Sequence, residues 1–165
     1  MCGFAVYTGD DQMLRLQMAH DFRSLQYRGP DNTIMKDLGN NGWIGFHRLK
    51  IMDLSNNGNQ PLEYKHIKLV CNGEVYNFRE IRKSFEGTFD FQSSSDCEVM
   101  IPLYLEKGII GMARELDAEF ACVIYDEKKN THPGYSGDAR LYCHSIRKFR
   151  TCDLVSLSGY FHDHH

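Results

Sequence analysis

The chain has 165 residues, 42% of them hydrophobic and 25% charged, and a formal net charge of −3. That length fits one domain rather than two large enzymatic ones, and the composition excludes intrinsic disorder. The balance of charge offers no electrostatic basis for a nucleic-acid or anionic-membrane partner, and no stretch approaches the ~20 apolar residues that a membrane helix needs.

In chain order, CGFAVYT at 2–8 carries Phe4, Val6 and Tyr7 ahead of Gly9 and Asp10, and reads as a short strand. From Asp11 to Leu25 the residues Leu14, Met18, Phe22 and Leu25 recur at helical spacing, and the turn-forming RGPDN stops the helix. WIGFHRLKIMDLS at 43–55 predicts one or two strands, broken by the loop SNNGNQP. IKLVCNGEVYN at 67–77 predicts a strand that enters a tight Asn-Gly turn, the commonest hairpin signal. FREIRKSF is a short helix, and SSSDCEVMIPLYLEKG a longer one whose Ser95 and Glu98 have capping-box spacing. Pro102 conflicts with that start, so a kink or a later beginning is expected. FACVIYDEKKN is a strong strand; beyond Asn130 only LYCHSI and LVSLSGYF offer strand candidates. Strands and helices interleave, which predicts sheets layered with helices.

Cys2 follows the initiator methionine directly, and trimming of Met1 leaves a cysteine bearing a thiol and a free α-amine. An amine with an ordinary pKa of ~7.7–8.0 can take the proton of a thiol with one of ~8.5 near neutral pH, so one residue supplies nucleophile and base. Asn72 and Gly73 offer an amide side chain and an unencumbered backbone N–H, the donors of an oxyanion hole, unless they only form the turn. Arg48, inside an apolar run, is either salt-bridged or holds a substrate carboxylate. Asp96 at a helix start serves the helix dipole or receives a substrate ammonium. Together the two charges describe an α-amino acid. His20 and His47 read as surface or packing residues, Trp43 as core, and the terminal FHDHH as a solvated tail rather than a metal site. The six cysteines include no CxxC pair, so neither a disulfide framework nor a zinc site is expected.

MCGF, YRGPD (27–31), GFHRLKIMDLS (45–55), GNQPL (58–62), NGEVYNFREIR (72–82), SDCEV (95–99) and LDAEFACVIYD (116–126) occur here in the order found in one family. The chain resembles the class II, N-terminal-nucleophile glutamine amidotransferase domain, most closely that of asparagine synthetase. The resemblance implies an α+β fold, a four-layer αββα sandwich of the Ntn-hydrolase type, here with an incomplete second sheet. It implies that Cys2 attacks the side-chain amide of L-glutamine, that Asn72 and Gly73 form the oxyanion hole, that Arg48 binds the α-carboxylate, and that Asn72, Glu74 and Asp96 complete the glutamine site. No metal or cofactor is implied for this half-reaction.

The resemblance covers about residues 1–130, and 131–165 diverge from the family's following RDxxGxxPLY segment. No SGGxDS-type pyrophosphate loop occurs in the sequence, so an ATP- and Mg-dependent synthetase domain is expected to be absent. The expected product is then free ammonia, or ammonia passed to a synthetase-bearing partner chain, with a homo-oligomer as another arrangement. With neither a basic leader nor an apolar N-terminal segment, a cytoplasmic location is expected. A second reading is a catalytically silent, truncated homologue that serves as an interaction module or is unstable.

Overall fold

The computed structural model describes residues 2–39, 42–130, 142–146 and 155–156, the last two segments by backbone alone. Among the described residues the fold is α+β, with two antiparallel sheets and three α-helices. The first sheet has the order β1-β3-β2, built from β1 (Gly3–Tyr7), β2 (Asn32–Gly39) and β3 (Gly42–Arg48). The second has the order β4-β5-β6-β7-β8, from β4 (Leu62–Tyr64), β5 (Ile67–Val75), β6 (Ala118–Asp126), β7 (Tyr142–Ile146) and β8 (Val155–Ser156). The strands β7 and β8 fall within the two candidates read beyond Asn130; Leu141, Leu154 and residues 157–161 of those stretches lie outside the described residues, as does the terminal FHDHH.

The period of two decides what each face of β3 buries. Trp43, Gly45 and His47 face α1 (Gln12–Ser24), whose start is capped by Asp11 accepting from the amides of Met13 and Leu14. The Phe22 ring stacks on His47 with centroids 4.0 Å apart and packs on Trp43, and a Cβ at Gly45 would come within 2.7 Å of it. Burying a ring of that size contributes about 2–3 kcal/mol. His47 is a packing residue: its Nε2 donates to the Phe22 carbonyl, which can only accept, so Nδ1 is left to meet the Thr33 hydroxyl. His20 is exposed beside Asp21.

Ile44 and Phe46, on the other face of β3, join Phe4 and Val6 of β1 against Val70 of β5 and Val123 of β6. The far face of the second sheet, with Leu69, Cys71, Phe120, Cys122 and Ile124, is covered by α2 (Phe78–Ser84) and α3 (Met100–Glu115). Even-numbered residues of β5 and odd-numbered residues of β6 therefore look into the space between the sheets. Cys2, one step before β1 and in phase with Phe4 and Val6, looks into it from the opposite side.

Two sequence expectations change, and one left open between one strand and two is decided for one. The Asn72-Gly73 pair forms no turn: β5 runs straight through it, with Asn72 opposite Ala121 and Gly73 opposite Phe120 in an unbroken register with β6. The apolar run after Arg48 is no second strand but a loop that leaves Ile51 and Leu54 exposed. The Ser95/Glu98 capping box is absent; a 3-10 turn, Asp96–Val99, precedes α3, and Glu98 instead accepts from the amides of Gln92 and Ser93 and the Ser93 hydroxyl. The later start of α3 puts Pro102 in its first turn, where no amide partner is lost. Gly108, with φ 69°, then breaks α3 into two segments, the second of which extends to Glu115, past the helix expected from the sequence.

Candidate active site

A cavity of about 450 Å³ opens between the sheets at the end where Cys2 enters β1 and Arg48 leaves β3. Cys2, Arg48, Asn72, Gly73, Glu74 and Asp96 all line it, although they come from four separated stretches of chain.

The half-buried Cys2 is held at both its backbone and its sulfur. Its carbonyl accepts from Arg28 Nε at 3.2 Å, and the Leu49 amide donates to Sγ at 3.3 Å, which fixes the rotamer that points into the cavity. The YRGPD stretch organises this end of the sheet. Asp31 Oδ2 accepts from the Lys50 amide at 2.7 Å, the Asp31 amide donates to the Arg48 carbonyl, and Gly29 passes so close to β3 that a Cβ there would stand 2.6 Å from Arg48 N. Arg28, Gly29 and Asp31 thus position the nucleophile candidate without lining the cavity themselves.

Arg48 is 5% exposed, and among the described residues it forms no ion pair. The loop that follows curls around its guanidinium. Nη1 donates to the Ser55 carbonyl at 2.6 Å and to Asn59 Oδ1 at 2.7 Å, and Nη2 donates to the Asp53 carbonyl. This demand for acceptors explains why the apolar residues of the loop point outward. Neutral acceptors take the hydrogen bonds of the fork, and although its charge also acts on the Asp53 carboxylate no ion pair forms between them, an arrangement that suits an anionic ligand.

Asp53 closes the loop against the next wall. Its carboxylate accepts from the Ser55 amide and hydroxyl and from the Ser94 amide at 2.7 Å. Burial alone pushes its pKa up, but these hydrogen bonds and the Arg48 charge outweigh it and hold the carboxyl below its ordinary value. A lowered folded-state pKa contributes stability that is present above the unfolded value of ~3.9 and is lost as pH falls through the folded value. Asp53→Asn is therefore expected to lower stability by about 1–3 kcal/mol at pH 6, as for hydrogen bonds to a charged group. Chemical denaturation of both proteins from pH 6 to pH 2 should show the difference closing below pH ~4.

The Asn72-Gly73-Glu74 window is pinned on both flanks by buried side chains. Gln60 exchanges two hydrogen bonds with the Cys71 backbone, at 2.6 and 3.1 Å, and Asp96 Oδ2 accepts from the Val75 amide at 2.7 Å. The Asn72 amide itself has no partner among the described residues and lies on the inter-sheet face with Cys2, free to donate into the cavity. The neighbouring thiol of Cys97, and after it burial, push up the pKa of the adjacent Cys71 thiol. Cys71 and Cys97 form the apolar floor rather than a second nucleophile.

Gln60, Asp53 and the 28–31 segment show no role by residue type, because each acts on a partner distant along the chain; the signal that could have found them is their place in the GNQPL, GFHRLKIMDLS and YRGPD stretches that carry the family resemblance. Among the described residues no group of three or more His, Cys, Asp or Glu side chains is arranged to hold a metal ion, and no helix is long and apolar enough to cross a membrane.

A family profile described as a glutamine amidotransferase domain matches residues 1–133. The chain is 35% identical over 133 residues to a probable glutamine-hydrolysing asparagine synthetase of Acanthamoeba polyphaga mimivirus, covering 77% of this chain and 24% of that protein. It is 36% identical over 136 residues to glutamine-hydrolysing asparagine synthetase 1 of Arabidopsis thaliana, covering 79% and 23%. With the corresponding enzyme of Gallus gallus the identity is 34% over 131 residues, covering 76% and 23%. The chain spans about a quarter of the length of these relatives.

Proposed function

The chain belongs to the glutamine amidotransferase domain family, and on that premise we propose that it hydrolyses L-glutamine to L-glutamate and ammonia, the glutaminase half-reaction of an asparagine-synthetase-like enzyme. The observation that carries the reading is the convergence, in one cavity, of Cys2, a buried Arg48 that forms no ion pair among the described residues, and the Asn72–Glu74 window. The packing of α1, two sheets, and α2 with α3 supports a four-layer αββα sandwich of the Ntn-hydrolase type.

Removal of Met1 makes Cys2 the N-terminus. Its α-amine takes the thiol proton, and Sγ forms a bond to the side-chain amide carbon of glutamine while the C=O pair moves onto oxygen. The Asn72 amide and the Gly73 N–H donate to that oxyanion, Arg48 fixes the α-carboxylate, and Glu74 with Asp96 holds the α-ammonium. Collapse breaks the C–N bond; ammonia leaves with the proton stored on the α-amine, and a γ-glutamyl thioester remains. Water, deprotonated by the same amine, then releases glutamate and restores the thiol. No step draws on a metal or organic cofactor; ATP and Mg belong to the chemistry of a synthetase domain, which a partner chain would supply together with the acceptor for ammonia. The reaction uses a reduced thiol, consistent with a cytoplasmic setting.

The test pairs intact mass with glutamate release by the purified chain. Protein lacking Met1 is expected to turn over glutamine, and protein retaining it to be inactive; trimmed, folded protein without activity would favour the second reading, a silent binding module, which draws support from the family match stopping at residue 133.

A further inference from the structure

Glu74 of β5 and Glu119 of β6 stand directly opposite each other in a register that runs unbroken from Ile67↔Asp126 to Val75↔Ala118, so the two side chains share one face, and both line the cavity. Like charges in that position oppose sheet pairing. Carboxylates elsewhere on or beside this sheet and on the 3-10 turn meet cations: Glu63 meets Lys36, Glu127 meets Lys68, and Glu98 lies 3.6 Å from Arg82. Neither Glu74 nor Glu119 forms an ion pair among the described residues.

Two further observations point to a cationic ligand held against this pair. Asp96, only 4% exposed, lines the same cavity, and its Oδ1 accepts no hydrogen bond among the described residues. Arg48, the cavity's buried cation, is turned to neutral acceptors and does not reach any of these carboxylates. The phenol of Tyr76 at the cavity rim senses the same field: partial burial first, and then Glu119, Glu74 and Asp117, raise its pKa.

We infer that Glu119 is a specificity-determining residue, which with Glu74 and Asp96 encloses the α-ammonium of the substrate and restricts the cavity to amino acids with an unblocked α-amine. This rests on the glutamine reading above. The like-charge pair costs sheet stability in the empty protein and is neutralised when the ammonium enters between its members. Nα-acylated glutamine, or glutamine inside a peptide, brings no such cation and leaves the carboxylates facing one another.

The experiment follows alkylation of Cys2 by iodoacetamide in the full chain, located by peptide mass spectrometry, with L-glutamine or Nα-acetyl-L-glutamine as protectant, for wild type and Glu119→Gln. The expected result is protection of the wild type by L-glutamine and not by the acetylated compound, and an increase of about 5-fold or more in the half-protecting glutamine concentration for Glu119→Gln. The variant should also melt no lower than wild type, because it relieves the like-charge pair; a structural role would move stability in the opposite direction. Equal protection of wild type and variant, or equal protection by the two compounds, overturns the role of Glu119 while leaving the glutamine site standing. Failure of L-glutamine to protect the wild type overturns the glutamine reading itself, and the inference with it.

Discussion

Cys2→Ala is expected to abolish glutamate release from L-glutamine, lowering kcat by ~10⁴-fold or more, because every covalent step passes through its sulfur. The substitution is mild for the fold. Cys2 is half-buried, its sulfur is engaged only by the Leu49 backbone at 3.3 and 3.7 Å, and the Arg28 contact is to its carbonyl, which alanine retains. A loss of about 1 kcal/mol would lower the Tm of a chain this size by ~2–4 °C, so circular dichroism and a thermal melt separate lost chemistry from lost structure. Glutamine should still raise the Tm of the variant, since Arg48 and the facing carboxylates remain; the gain grows with the ratio of ligand concentration to Kd. A Cys2→Ala protein that still released glutamate at the wild-type rate would place the chemistry elsewhere in the cavity.

The elements legible in sequence are those whose pattern reflects their own burial. The residues of β1 and α1, and the apolar runs of β5 and β6, carry their periodicity because one or both faces pack against the next layer. The edge strand β2 has only scattered partly buried positions, and β4 is three residues long, so neither writes a readable alternation. The same limit separates the parts of the site. Cys2, Arg48, Asn72 and Asp96 announce themselves by residue type in an unexpected setting, a charge in an apolar run or a thiol at the chain start. Asp31, Asp53 and Gln60 do not, since an aspartate that caps a turn and one that ties Ser94 to a loop 41 positions away look alike until the chain has folded. Asn72-Gly73 is the instructive failure. The dipeptide fits a hairpin by local rule, but its meaning here is set by the β6 backbone, which no local window contains.

That contact makes Gly73→Ala the second large effect, this time on stability. An added Cβ would lie far inside van der Waals contact of the Glu119 carbonyl and the Phe120 Cβ, and 2.5 Å from the Phe120 Cα. None of these atoms ends a flexible side chain, so relief requires β5 and β6 to separate, and they form the longest ladder among the described residues, nine residue pairs from Ile67 to Val75. The ~0.4–1 kcal/mol that alanine gains by restricting the unfolded chain cannot offset a backbone collision. A net loss of about 3 kcal/mol or more is expected, lowering Tm by ~6–12 °C. Gly87→Ala is the matched control: its φ of 75° strains an alanine, but nothing lies within 4 Å of the added carbon, and its cost should stay near ~1 kcal/mol. If the Gly73 variant melted with the Gly87 variant, the two strands would have to be further apart at this point than a close backbone approach allows. If it melted early, its residual folded fraction should also hydrolyse glutamine poorly, because any shift that accommodates the methyl group moves Asn72 and Glu74, which are pinned on either side by Gln60 and Asp96, out of line with Cys2.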